Sequence, residues 1–301
     1  MNLRDLRYLV ALADERHFGR AAERCFVSQP TLSAQVRKLE RYLGVPLVER
    51  QPKRVALTPI GEQVVERARR VLHESDAIVE LAQTGRDPLA GQLRMALIPT
   101  VGPYLLPRVA PALQSDLPKL KLLLYEYQTG PLLERLRAGE IDVGVLALPV
   151  VPMDGLESTV LYDEPFALAV PGSHRLAERR SVSVDDLRDE TLLLLEDGHC
   201  LRDQALEVCS RVDVHEAQDY RATSLETLRQ MVAAGHGVTL LPELAIAAPV
   251  GVTRGLEIRR FDAPTPSRTI GAVWRKSTTR GPAIDAIADT VRKALREDKD
   301  R

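Results

Sequence analysis

The segment Arg20-Ala-Ala-Glu-Arg-Cys-Phe-Val-Ser-Gln-Pro-Thr-Leu-Ser-Ala-Gln-Val-Arg-Lys-Leu-Glu40 reads as a helix-turn-helix. Ala21 and Ala22 are small enough for two helices to pack closely. The turn runs into a second helix with Pro30 at its first position, where a missing N–H costs nothing. That helix continues through Val36 and Leu39 to Leu43, and Gly44 ends it. Its first turns are polar: Ser28, Gln29, Thr31, Ser33 and Gln35. With the helix in a major groove, these side chains reach base edges and phosphates. Arg37, Lys38, Lys53 and Arg54 are placed to hold the nucleic-acid backbone.

Upstream, Leu3, Leu6, Leu9, Val10 and Ala13 form one apolar helical face, and Phe18 to Cys25 forms a second short helix. Downstream, Val45 to Leu57 alternates loosely around Pro46 and Pro52, as a small hairpin wing would. Residues 1–60 hold eleven Lys or Arg against six Asp or Glu, a net +5. The rest of the chain carries −6, so the overall charge of −1 conceals a basic end on an acidic body. This N-terminal segment resembles the DNA-binding domain of LysR-type transcriptional regulators. The resemblance continues through Leu39-Glu40, Leu43-Gly44, Leu47, Arg50, Leu57-Thr58 and Gly61; Val48 stands where most of that family carries Phe.

From about Pro59 to Thr84 the chain reads as one long helix. Val64, Ala68, Val71, Ser75, Ile78 and Ala82 step by 4, 3, 4, 3 and 4, with Val65, Leu72 and Val79 as a parallel row. A 3.5-residue repeat marks a coiled-coil seam, so this helix is expected to pair with a second copy. Its opposite face is charged (Glu62, Glu66, Arg67, Arg69, Arg70), and Gly85 to Gly91 reads as a hinge. From Gln92 strands alternate with helices: Leu93–Ile98, Lys121–Tyr125, Asp142–Leu146, Phe166–Val170, Thr191–Leu195, Gly237–Leu241 and Thr269–Trp274 are the strands. This order predicts mostly parallel sheets with sites at strand carboxyl ends. The expected fold is an α/β effector domain of two Rossmann-like, periplasmic-binding-protein-like lobes, preceded by an all-α winged helix-turn-helix and a linker helix. The expected boundaries are 1–58 for the winged helix, 59–90 for the linker and hinge, and 91–301 for the regulatory domain. Lobe I covers about 91–162 and 268–301, and lobe II about 163–267.

The composition, 45% hydrophobic and 28% charged over 301 residues, fits two or three ordinary domains. No run approaches the roughly 18 apolar residues of a membrane span. Arg4, Asp5 and Arg7 interrupt any apolar signal core, so a cytoplasmic protein with no membrane partner is expected. Three cysteines do not make a disulfide scaffold and point to a reducing compartment. Cys25 reads as a core residue. Cys200 follows the strand Thr191–Leu195 where a helix starts, so free N–H groups, the positive dipole end, and His199 or Arg202 would favour its reactive form. Cys209 lies nine residues on. In an unbroken helix nine residues rise about 13.5 Å and turn about 900°, whereas a disulfide needs Cα atoms within about 7 Å. If the two ever pair, the helix between them must unravel, as a redox switch requires.

The segment Leu195-Glu-Asp-Gly-His-Cys-Leu-Arg-Asp-Gln-Ala205, with Cys209 following, resembles the hydrogen-peroxide-sensing branch of the LysR-type regulators. So do Pro99–Pro107, Arg221–Arg229, Met231–Gly235 and Arg268–Gly271. The resemblance implies that Cys200 is the peroxidatic and Cys209 the resolving cysteine. Thr100, Thr129 and His199 would orient or protonate peroxide, with Gln128 beside Thr129. Asp203 would position a water, and Arg268 would stabilise the thiolate or leaving group. It also implies a double-stranded DNA operator, RNA polymerase, homodimers and homotetramers, and a thiol reductant such as a glutaredoxin or thioredoxin. No cofactor, metal or enzymatic turnover is expected. Two other readings remain: a regulator binding a small organic effector in the cleft, and a turning-over thiol peroxidase. Zinc held by His199, Cys200, Cys209 and His215 fits no common spacing.

Overall fold

The computed structural model describes residues 1–51, 54–84, 87–210, 212–247 and 253–299, and the chain divides into two compact units. The first comprises Met1–Arg86 with Ala138–Glu140, and the second Asp87–Arg137 with Ile141–Arg301.

The first unit contains α1 (Leu3–Glu15), α2 (Phe18–Arg24), α3 (Gln29–Leu43), the antiparallel hairpin β1 (Val48–Gln51) and β2 (Arg54–Leu57), and α4 (Pro59–Thr84). Asn2 and Asp5 form a reciprocal capping box that starts α1. Ser28 caps α3 through Thr31 N–H, and Gly44 ends it at φ 73°, where glycine is unstrained. Helix α3 begins one residue earlier than expected, at Gln29, so Pro30 occupies its second position. Leu6, Leu9 and Leu12 pack with Ala21, Ala22, Leu32, Val36 and Leu39, joined by Val65 and Ala68 of α4. Glu40 Oε1 accepts from Leu47 N at 2.9 Å and Val48 N at 3.1 Å, pinning the wing to the recognition helix. Along α4, Ala68 is buried, whereas Val71 and Ile78 of the same heptad row are exposed. The side chains of Val79 and Ala82, and residues Gly85 and Arg86 of the expected hinge, lie outside the described residues.

The second unit begins with β3 (Gly91–Leu97), α5 (Gly102–Asp116), β4 (Leu120–Glu126), α6 (Thr129–Ala138), β5 (Val143–Leu148) and β6 (Leu156–Pro171). There follow β7 (Ser181–Val182), β8 (Thr191–Leu195), α7 (Cys200–Val208), β9 (His215–Ala222), α8 (Leu225–Ala233) and β10 (Thr239–Pro242). It closes with α9 (Glu243–Ile246), β11 (Leu256–Phe261), β12 (Ser267–Arg275) and α10 (Gly281–Lys299). The sheets are mixed rather than mostly parallel. Strand β3 runs parallel to β4 and β5, and β8 parallel to β9, but β12 is antiparallel to both β5 and β6. The reason is the sixteen-residue β6, which serves both lobes. Its first part pairs with β12, and its last part pairs antiparallel with β10 and β11.

Among the described residues, lobe I builds one core from Leu93, Met95, Leu97, Val145, Ile270 and neighbours. Lobe II builds two, and β8 divides its leucines between them by strand alternation. Leu192 and Leu194 enter one cluster, which includes Ala205 and Cys209; Leu193 and Leu195 enter the other, which includes Leu201 and Leu225.

Gly61 of α4 sits where a Cβ would lie 2.1 Å from the Leu47 carbonyl oxygen. Gly61→Ala must therefore push the start of the wing away. It should lower the stability of the first unit by about 1–3 kcal/mol, the usual cost of overpacking. Thermal unfolding checks this, and an unchanged midpoint would mean that the contact can be relieved freely.

Candidate functional site

The polar centre of the second unit is a buried ion pair. Arg268 on β12 donates from Nε to Glu164 Oε2 on β6 at 2.8 Å, and its Nη2 lies 2.7 Å from the same oxygen. The two side chains are 1% and 2% exposed. The two terminal nitrogens reach Thr100: Nη1 donates to Thr100 Oγ1 at 3.0 Å, and Nη2 to the Thr100 carbonyl at 2.9 Å. The other Glu164 oxygen accepts from Leu244 N at 3.0 Å. Two nitrogens converging on one carboxylate oxygen while the terminal nitrogens also reach Thr100 need a planar guanidinium, which only Arg supplies. Sequence reasoning named Arg268 and Thr100 but missed Glu164, which sits in a strand segment with no local signal for burial. Arg268 is thus a neutralised charge with directed donors, rather than a free cation. Tyr162 lies beside the pair; its hydroxyl is buried without a hydrogen-bond partner, and burial followed by the Glu164 charge pushes its pKa up.

Four turns converge on a cavity of about 590 Å³, each following the carboxyl end of a strand. Pro99 and Tyr104 come from the β3–α5 turn and α5, Gln128 from the β4–α6 turn, Glu196 and His199 from the β8–α7 turn, and Ser224 from the β9–α8 turn. These are the ends of parallel pairs, where an α/β architecture places its sites. Gln128 Nε2 donates to Glu196 Oε1 at 3.2 Å across the cavity. Gly198 makes the turn possible at φ 95°, and a Cβ there would meet Gln128 Oε1 at 2.9 Å.

Helix α7 opens with His199 as its N-cap residue, and no side chain caps it. His199 is 5% exposed. Burial pulls its pKa below the ordinary imidazole value against the opposing Glu196 charge, so at neutral pH it is an uncharged hydrogen-bonding group. Cys200 is half-buried and packs against the lobe I core, whereas Cys209 sits in a lobe II core at 2% exposure. All three cysteines are free thiols. Cys25, expected as a core residue of the second helix, is instead its half-buried C-cap residue, packed against the edge of the first unit's core. Thr129 begins α6, and its Oγ1 is buried without a partner. Two expectations need correction. Asp203 is exposed; of the expected site residues Gln128 and His199 line the cavity, and Thr100, Thr129, Cys200, Asp203, Cys209 and Arg268 are not among its lining residues. Arg202 offers no spare charge to Cys200, because Glu216 and Asp197 already engage it. Among the described residues no group of three or more His, Cys, Asp or Glu converges as a metal site would.

In the first unit, Ser28, Gln29, Pro30, Thr31, Arg37 and Lys38 are exposed around the start of α3, with Ser33 and Gln35 half-buried. Arg37 Nη2 donates to Ser33 Oγ at 3.3 Å. Lys53 and the Arg54 side chain lie outside the described residues.

A winged helix-turn-helix joined to a two-lobed α/β domain with a polar interlobe centre defines a DNA-binding regulator with a sensing domain. The chain belongs to the LysR family of bacterial regulatory helix-turn-helix proteins: residues 3–62 match that family's helix-turn-helix and residues 86–296 its LysR substrate binding domain. Within the family it is 48% identical to the DNA-binding transcriptional dual regulator OxyR of Escherichia coli K12, over 97% of this chain and 95% of the relative. A full-length OxyR cysteine variant from Pseudomonas aeruginosa is 44% identical with a TM-score of 0.74, covering 97% of this chain and 98% of that one. An OxyR cysteine variant from Corynebacterium glutamicum, solved with hydrogen peroxide bound, is 37% identical with a TM-score of 0.68, covering 98% and 93%.

Two outcomes follow from this geometry. Glu164→Gln leaves Arg268 charged and buried without its counter-ion, which should cost about 3–5 kcal/mol of stability in a denaturant melt; a loss under 1 kcal/mol would contradict the buried pairing. Burial also pushes the Cys209 thiol up to about 11. Because the folded value is raised, its contribution to stability is complete below the unfolded value near 9 and is lost as pH rises toward 11. In the native protein, alkylation at pH 8 should modify Cys200 well before Cys209, and equal rates would contradict this.

Proposed function

We propose that this protein is a transcription regulator that senses hydrogen peroxide by oxidation of Cys200 and locks the oxidised state as a Cys200–Cys209 disulfide. The observation that carries the reading is one nine-residue helix with a thiol at its start, packed against the lobe I core, and a second thiol just past its end in a lobe II core. A relative solved with peroxide bound supports the choice of ligand.

The Cys200 sulfur attacks one peroxide oxygen; the O–O bond breaks, and the far oxygen leaves as hydroxide and takes up a proton. Sulfenic acid remains on Cys200. Thr100 Oγ1 already accepts from Arg268, so its own proton is free to be donated to peroxide. Thr129, whose buried hydroxyl lacks a partner, supplies a second donor or acceptor. Uncharged His199 orients the ligand, with Gln128 holding the Glu196 side of the turn. Arg268 fixes Thr100 rather than meeting peroxide as a bare charge. The Cys209 sulfur then displaces water from the sulfenic acid to give the disulfide, and a cytoplasmic thiol reductant of the glutaredoxin or thioredoxin type resets it.

On DNA, the exposed start of α3 reads bases while Arg37, Lys38, Lys53 and Arg54 hold phosphates. The uncovered Val71 and Ile78 of α4 provide the seam of a homodimer, and two dimers form a tetramer that contacts an operator and RNA polymerase.

The test joins mass spectrometry of the 200–209 region after one equivalent of peroxide to an operator footprint. A disulfide between Cys200 and Cys209, with a footprint that shifts on oxidation and a Cys200→Ser protein that does not respond, is expected. A peroxide response retained by Cys200→Ser, or a response to an organic effector without thiol chemistry, would overturn the reading.

A further inference from the structure

The chemistry above leaves one cluster of side chains unused. Arg202, in the first turn of α7, lies between two carboxylates. Its Nη1 is 2.8 Å from Glu216 Oε1, its Nη2 donates to Glu216 Oε2 at 3.0 Å, and its Nε is 3.0 Å from Asp197 Oδ1. Arg221 joins the same carboxylates at 3.3 Å and 3.5 Å. The Arg202 side chain is 11% exposed and that of Glu216 23%, so solvent screens this pair less than an ordinary surface bridge. The guanidinium hydrogen bond holds the Glu216 carboxyl below the usual carboxylate range.

The two partners sit on pieces with different freedom. Glu216 belongs to β9, which is tied to β8 with Leu192 opposite Glu216, and β8 is buried on both faces. Arg202 is two residues from Cys200, on the helix that cannot stay wound when Cys200 reaches Cys209. We propose that the Arg202–Glu216 pair is a positioning clasp that holds α7 wound and sets the threshold for the second oxidation step. This rests on the proposed function.

In that step the Cys209 sulfur attacks the Cys200 sulfur, the S–S bond forms and the S–O bond breaks. The departing hydroxide leaves as water with the Cys209 proton, and the oxidising equivalents are those of the peroxide already consumed. The clasp must open before the sulfurs meet. The first step requires no unwinding. Loosening the clasp therefore speeds condensation, leaves peroxide attack unchanged, and makes the disulfide harder to reduce.

The experiment uses the full-length protein and its near-isosteric variant Glu216→Gln, with Arg202→Lys as a second variant that keeps charge but loses the fork. Each receives one equivalent of peroxide; sulfenic acid is trapped with dimedone, the disulfide is followed by mass spectrometry, and its potential is titrated against dithiothreitol. In Glu216→Gln, Cys200 oxidation should stay within twofold of the parent while disulfide formation accelerates about tenfold. The equilibrium should move about tenfold toward the disulfide, which is about 30 mV more negative. Arg202→Lys should fall between parent and Glu216→Gln. A general loosening of the fold would accelerate both steps, and that result overturns the clasp. So do a condensation rate and potential within twofold of the parent in both variants. Failure of the parent to form the disulfide removes the proposed function, and the clasp with it.

Discussion

The distance between two sulfurs along one helix governs the rest of this structure. A wound α7 holds Cys200 and Cys209 about 13.5 Å apart along its axis, and a disulfide tolerates Cα atoms no more than about 7 Å apart. The helix and the bond therefore exclude each other. Their surroundings sharpen the conflict: Cys200 leans on the lobe I core, while Cys209 is sealed among Ala205, Leu194 and Val212 in lobe II. Joining them has to move apolar side chains between cores as well as break helical hydrogen bonds. A covalent event on two atoms thus becomes a rearrangement of a whole segment, which is how a local redox change reaches a distant readout.

The chemistry at the start of α7 depends on fixed donors. Arg268 is held by Glu164 on one side and spends its remaining hydrogen bonds on Thr100, so its geometry is set before any ligand arrives. Such a pair contributes little net stability, because desolvating two charges offsets their attraction. Its value here is orientation: a directed fork keeps the Thr100 hydroxyl aimed, and the buried Thr129 hydroxyl adds a polar group with no internal partner.

Much of this was legible in the sequence because it rests on local signals. Ser28 and Gly44 mark the ends of α3, and the apolar rhythm from Pro59 to Thr84 gave α4 its observed limits. The unbroken leucines of Thr191–Leu195 identified a strand, and the structure buries it on both faces. What stayed hidden is set by distant partners. Strand β9 reads His-Glu-Ala-Gln-Asp-Tyr-Arg-Ala, polar enough to pass for a loop, and becomes a strand by pairing with β8. Strand β6 appeared only as its apolar end, Phe166–Val170, because its first half faces β12 across a register that no local pattern records. Glu164 was missed for the same reason. The expectation of parallel sheets failed where β6 and β12 run antiparallel between the lobes. Asp203 shares a helix with Cys200, yet Cys200 packs against the lobe I core while Asp203 faces solvent, a distinction set by how α7 docks.

Hydrogen exchange across residues 196–215, compared in the reduced and the disulfide-bonded protein, tests the exclusion of helix by bond most directly. The amides from Leu201 to Cys209 should be protected in the reduced protein and lose that protection when the disulfide is present, while β8 stays protected in both. Equal protection of α7 in both redox states, with the Cys200–Cys209 bond confirmed, would contradict the account.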